Sequence, residues 1–313
     1  MLALLFPGQG SQEVGMGRDA CEASPAARAV FDAADDALGF SLSRLCFEGP
    51  EEELRRTEIQ QPALLTTSIA LLRGFESEAG PLAADFVGGH SLGEYSALVA
   101  ANALSFEDAV RIVHARGRFM QEAVAEGRGA MAAVMGCGPE VVREACEAVA
   151  AERGEVVAPA NYNSPQQTVI AGEAGAVAAA GERARELGAK RVVELPVSAP
   201  FHCALMAPAA EKLRSELDRT TFAVPSVPVV TNVEATPNSD ADRIADLLEQ
   251  QVTAPVRFTE MIGCLKEQGV SKFVEVGAGR VLSGLLARID RRGTRGHLSC
   301  WTDVEDVRLL LES

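Results

Sequence analysis

The sequence predicts an α/β protein: a largely parallel sheet covered on both faces, with a small ferredoxin-like unit set into it. Three observations carry this expectation. Short apolar runs alternate with amphipathic helical stretches along the chain. One run leads through a Gly-x-Ser-x-Gly turn directly into a helix. Residues 129–196 follow the order β-α-β-β-α-β, complete in itself.

Leu2–Phe6 reads as a buried first strand; no basic segment precedes it, so it is not read as a signal peptide. Amphipathic helices are expected over Ala26–Leu38 and Pro62–Glu78. Phe86-Val87-Gly88 is a short apolar run, followed by Gly89-His90-Ser91-Leu92-Gly93 and a helix over Glu94–Ala101. Ser105-Phe106-Glu107-Asp108 resembles a capping box that opens a helix to about Ala125. The inserted unit then reads as strand Ala130–Met135, helix Pro139–Glu152, strands Val156–Asn161 and Gln167–Ala171 around the turn 162–165, helix Glu173–Leu187 closed by Gly188, and strand Arg191–Leu195. After Pro196 the first pattern resumes. Helices are expected over Ala207–Arg219, Asp240–Gln250, Phe258–Gln268 and Val281–Ile289, and strands over Val227–Asn232 and Lys272–Val276. The predicted organisation is a core of residues 1–128 and 197–313, interrupted by 129–196.

Composition narrows the function. The chain has 313 residues, 47% hydrophobic and 23% charged, and no apolar run of transmembrane length. Its net charge of −15 disfavours nucleic acid and anionic membrane as partners. Seven scattered cysteines, with no C-x-x-C, suit a reducing cytoplasm and argue against a disulfide scaffold or structural zinc. With four histidines and no H-E-x-x-H, no catalytic metal is expected. Arg288, Arg291, Arg292 and Arg295 cluster near the C-terminus, either as a solvated helix end or as a landing patch for an acidic partner.

The chemistry centres on Ser91. A nucleophilic serine must stand at the top of a strained turn, and flanking glycines let the backbone pass. The Leu92 N–H would start the following helix, where it could stabilise negative charge on an attacked carbonyl oxygen. A serine needs a base. His90 is expected to point away from Ser91, His114 sits inside a helix, and His297 lies in a polar segment. His202 lies on a loop between a strand and a helix, where site residues gather. On the residues alone it could be a base or a structural histidine. Arg116 falls on the apolar face made by Ala109, Ile112, Val113, Phe119 and Met120. Its residues favour a packed stem with the head in solvent or on an internal carboxylate; the sharper alternative is a fork holding a substrate carboxylate. The loops 6–12 and 277–279 lack the spacing of nucleotide-binding glycine loops.

Taken together, FPGQGSQ (6–12), GHSLGEYSAL (89–98), RGRFMQEA (116–123), GAMAAVMG (129–136), NYNSPQQTVIAG (161–172), LPVSAPFHCALM (195–206), QVTAPVRF (251–258) and FVEVGAGRVLSGL (273–285) resemble the malonyl-CoA:acyl carrier protein transacylases of fatty-acid synthesis. The stretches occur in the family's order across nearly the whole chain. The resemblance implies an α/β-hydrolase-like core with an inserted ferredoxin-like subdomain. It implies Ser91 as nucleophile, His202 as base, and Arg116 as partner of the malonyl carboxylate. It implies an oxyanion hole from the N–H groups of Gln9 and Leu92. Gln251 matches the residue whose carbonyl orients the histidine, with Gln250 adjacent as the alternative. A substrate pocket of Met120, Met131, Asn163 and Phe201 is implied, and the ring of Phe201 would crowd an α-methyl branch. The implied substrates are malonyl-CoA and holo acyl carrier protein, with no cofactor. Three rivals are weighed beside it: a serine hydrolase on the same core, an acyltransferase serving a polyketide synthase in trans, and a non-enzymatic acyl-binding protein. Intact Ser91 and His202 argue against the last.

Overall fold

The first apolar run becomes a central strand because both of its faces are covered. In the computed structural model, which describes residues 1–197 and 199–312, β1 (Leu2–Phe6) is buried throughout. Leu2, Leu4 and Phe6 enter one hydrophobic cluster, and Ala3 and Leu5 enter another on the opposite face. Ser198, inside the stretch 195–206, lies outside the described residues.

The main sheet contains β1, β2 (Phe86–Gly89), β7 (Val229–Val230), β8 (Pro237–Asn238), β9 (Lys272–Val276) and β10 (Thr294–Leu298), in the order β10-β9-β1-β2-β7-β8. Every pairing is parallel except β7–β8. The second sheet contains β3 (Gly129–Met135), β4 (Val157–Ser164), β5 (Gln167–Glu173) and β6 (Arg191–Glu194), all antiparallel in the order β4-β5-β3-β6. The fold is therefore α/β with a mostly parallel sheet and a separate ferredoxin-like one, as the patterns predict. Alternation along β3 explains how the two sheets meet. Ala132 and Val134 pack under the helices 139–153 and 174–186, while Met131 and Ala133 join the main core. A parallel bridge between Asn161 and Val256 ties β4 to the core, with Tyr162 N donating to Val256 O at 2.8 Å and Val256 N to Ala160 O at 2.9 Å.

The structure departs from the sequence expectations at identifiable places. The helix expected from Pro62 begins at Thr57, so Pro62 lies inside it. Val227–Asn232 shortens to β7, and Asn232 lies beyond its end. The segment around His297 is not merely polar tail: 294–298 adds a parallel edge strand, and helix 304–312 follows. Only Leu298 of that strand is buried, so it carries no periodic apolar signal.

Two glycines fix where the elbow can stand. A Cβ at Gly89 would lie 2.1 Å from Gly93 C, and one at Gly93 would lie 2.0 Å from Phe6 O. The helix 93–100 thus starts against the end of β1. Gly93→Ala is expected to lower unfolding free energy by about 3 kcal/mol, since neither backbone can yield cheaply. Urea denaturation checks this; a loss below about 0.5 kcal/mol would contradict the packing described.

Candidate active site

The site forms where successive strands end. The loop after β1 brings Gln9, β2 leads into Ser91, and Asn232 follows β7. Ser91 takes a left-handed conformation, φ +52°, at the sharp turn before helix 93–100. His202 is also left-handed, φ +61°. Both are buried.

Ser91 Oγ lies 2.8 Å from His202 Nε2. On the other side of the ring, His202 Nδ1 lies 2.8 Å from Gln251 O and 3.2 Å from Ala254 O. Carbonyl oxygens only accept, so Nδ1 carries the proton and Nε2 is left to accept from Ser91. Main-chain oxygens stand where many serine enzymes place a carboxylate. Burial and the charge of Arg116 push the His202 pKa down to about 3, so the imidazole is neutral at ordinary pH. The structure also separates the two adjacent glutamines. Gln251 is buried and faces His202, while the Gln250 carbonyl accepts from Ala254 N at the helix end.

Arg116 departs from the reading its neighbours favour on sequence alone. Its head does not reach solvent: the residue is 0% exposed. The reason is close helix packing. A Cβ at Gly117 would sit 2.5 Å from Thr57 O, so helices 106–122 and 57–79 meet with no path outward. The guanidinium turns to the serine instead. Nη1 donates to Gln61 Oε1 at 2.7 Å, and Nη2 donates to Gln251 Oε1 at 3.0 Å and Ser91 Oγ at 3.1 Å. All three acceptors are neutral. The ring of Tyr95 lies beside it, 5.5 Å from centroid to Cζ. A buried cation with only neutral hydrogen-bond partners can take an anion as a further partner. Burial pulls its pKa down, yet a guanidinium remains charged.

A cavity of about 500 Å³ opens over Ser91 and His202. Gln9, Gln60, His90 and Phe201 form its core-side wall; Met131, Asn161 and Leu195 come from the inserted unit. Met131 and Phe201 line it. Met120 and Asn163 do not. Met120 is packed behind Gln61, whose Nε2 is 3.8 Å from its sulfur. Asn163 Oδ1 lies 2.8 Å from His90 Nε2. His90, expected to point away, lines the cavity. Its ring packs on Phe258, 5.7 Å between centroids. Leu92 is fully buried beneath the elbow. Neither its N–H nor that of Gln9 donates to an acceptor among the described residues.

Gln61, Glu94 and Asn232, buried polar residues joined by hydrogen bonds to the groups around Ser91, are absent from the sequence expectations. Each left a faint signal. Gln60-Gln61 interrupts an apolar helix, Glu94 is the only charge in 93–100, and Asn232 follows a strand that ends at the elbow. Burial pushes the Glu94 pKa up to about 7, against hydrogen bonds from Asn232 N and Gln251 Nε2 that lower it.

The arginine cluster divides. Arg295 donates to the carbonyls of Asp290 and Gly293, and Arg288 donates to Gln167 Oε1. Arg288, Arg291 and Arg292 are exposed. All seven cysteines are free thiols. Among the described residues no group of three or more His, Cys, Asp or Glu is placed to hold a metal ion.

The acyl transferase domain model matches residues 3–291. The chain is similar to the malonyl CoA-acyl carrier protein transacylase of Bacillus subtilis, 52% identical over 291 residues, covering 93% of this chain and 91% of the relative. It is 50% identical over 287 residues to that of Escherichia coli, covering 92% of each. Among solved structures, the malonyl CoA-acyl carrier protein transacylase of Coxiella burnetii matches with TM-score 0.96 and 41% identity, covering 100% of this chain and 98% of that one. A malonyl-transacylase solved with a type II polyketide-synthase acyl carrier protein matches with TM-score 0.95 and 44% identity, covering 100% and 99%. The chain belongs to the acyl transferase family, among its malonyl-CoA:acyl carrier protein transacylases.

Proposed function

We propose that the protein moves a malonyl group from malonyl-CoA to the pantetheine thiol of acyl carrier protein through a malonyl ester of Ser91. One observation carries the assignment of roles: Ser91 Oγ lies between a neutral histidine nitrogen at 2.8 Å and a buried guanidinium at 3.1 Å. The first activates it; the second selects what it attacks.

In the first half-reaction His202 Nε2 takes the Ser91 proton as Oγ bonds to the thioester carbon. The carbonyl oxygen becomes an oxyanion, held by the N–H groups of Gln9 and Leu92. The C–S bond breaks, and the leaving thiolate takes the proton from His202. In the second, Nε2 takes the carrier thiol's proton, the sulfur attacks the malonyl ester, and Oγ recovers the proton as it leaves. Gln251 O holds the imidazole through both steps. Arg116 turns its fork to the distal carboxylate of the malonyl group. An acetyl group would leave that fork unpaired, which disfavours it by several kcal/mol in order of magnitude. No step needs a cofactor, because both are acyl exchanges between a hydroxyl and a thiol.

Malonyl-loaded carrier supplies fatty-acid chain elongation. The polyketide carrier bound to one structural relative keeps service to a polyketide synthase as a second reading. An acidic carrier must overcome the net charge of −15, and exposed Arg288, Arg291 and Arg292 offer a local basic landing site. The cytoplasm is the proposed location, on the free cysteines. Among the described residues no helix is long and apolar enough to cross a membrane. Initial rates measured while varying both substrates test the scheme. A covalent intermediate predicts parallel double-reciprocal lines; intersecting lines would require both substrates to bind together and would contradict it.

A further inference from the structure

Two buried polar side chains next to Ser91 take no part in these proton transfers. Asn232 spans the elbow: its Oδ1 accepts from Ser91 N at 2.6 Å and its Nδ2 donates to Gly89 O at 2.7 Å. Those two contacts clamp the peptides on either side of His90, the stretch that leads into the left-handed serine. Asn232 N in turn donates to Glu94 Oε2 at 2.9 Å. The same oxygen accepts from Gln251 Nε2 at 2.7 Å.

That last contact decides an orientation. A glutamine amide has similar shape either way round, but Glu94 Oε2 already accepts from Asn232 N and stands there as an acceptor. Glu94 therefore draws the Gln251 NH₂ towards itself, where it also donates to Ser91 O at 3.0 Å. Gln251 Oε1 is left facing Arg116 Nη2 at 3.0 Å. Turned the other way, the amide would set N–H against N–H. The backbone carbonyl of the same residue holds His202.

Resting on the reading of Ser91, His202 and Arg116 given above, we propose that Asn232 and Glu94 are positioning residues: Asn232 holds the serine peptide, and Glu94 acts through Gln251 on Arg116. The two arms should separate in kinetics. Asn232→Leu removes both elbow contacts and should lower kcat about 100-fold with KM for malonyl-CoA unchanged. Glu94→Leu frees the Gln251 amide and should lower kcat and raise KM for malonyl-CoA, each about 10-fold or more. Glu94→Gln can still accept through its amide oxygen and should stay within about 5-fold of wild type in both.

Sulfonylation by phenylmethylsulfonyl fluoride supplies a second readout, since this reagent carries no carboxylate for Arg116. Asn232→Leu should slow it in step with kcat, and Glu94→Leu should slow it less than it slows malonyl transfer. If Asn232→Leu does not fold, Asn232→Asp keeps the acceptor for Ser91, loses the donor to Gly89, and should still be slowed. Wild-type kcat in either Asn232 variant, unchanged KM in Glu94→Leu, or a Glu94→Gln as impaired as Glu94→Leu would overturn the proposal. Failure of wild-type protein to gain a sulfonyl group on Ser91 would instead sink the underlying reading of the nucleophile.

Discussion

Arg116→Ala is expected to lower kcat/KM for malonyl transfer by about 10³-fold while acetyl transfer is kept or raised. The size follows from the site. Arg116 is 0% exposed, and its hydrogen bonds go to neutral groups. A malonyl carboxylate entering without it would be a buried, unpaired charge, a loss of about 3–5 kcal/mol for one partner of such a pair. An acetyl group brings no charge and loses nothing. With wild-type protein it leaves the buried arginine without an anion; in the variant there is no such charge to leave. Transfer assays with malonyl-CoA and acetyl-CoA side by side read this directly. Equal loss for both acyl groups would mean that Arg116 only supports Gln61, Gln251 and Ser91, and the account of selectivity would fail.

His202→Ala is expected to lower kcat by about 10⁴-fold, with little change in KM, because the hydroxyl then has no base in reach. Its pH behaviour is the sharper part. Burial and Arg116 hold the His202 pKa down at about 3, below its ordinary value of 6.5. A base with a lowered pKa is present in its active form at every pH above that value. The ratio of wild-type to variant activity should therefore be the same at pH 6 as at pH 8. A ratio that shrinks below pH 6.5 would show an imidazole that titrates normally, and the buried dyad would have to be open to water.

Much of this site is legible in the sequence because its parts obey local rules. The elbow needs Gly89 and Gly93 where side chains would strike backbone, and a serine in between. The β-α-β-β-α-β order is complete over 129–196, so the second sheet follows from periodicity alone. His202 is different: what supports the proposed role as base is its approach to Ser91 across 111 positions, which no local pattern encodes. The head of Arg116 is decided by how closely Gly117 lets two helices approach, a tertiary fact. Asn232 and Glu94 look ordinary as sequence, and their meaning lies in which atoms they join. His90 reads as pointing away because it lies on the strand side of the turn, yet it lines the cavity. The edge strand 294–298 was hidden by polar residues that an edge tolerates.

In the proposed cycle Ser91 carries the malonyl group between two thiols. Intact mass of the protein after brief exposure to malonyl-CoA, with peptide mapping, reads this intermediate itself. The expected result is one malonyl group on Ser91, which leaves quantitatively for holo acyl carrier protein and far more slowly for water. No adduct, an adduct elsewhere, or one lost to water as fast as to the carrier would contradict it.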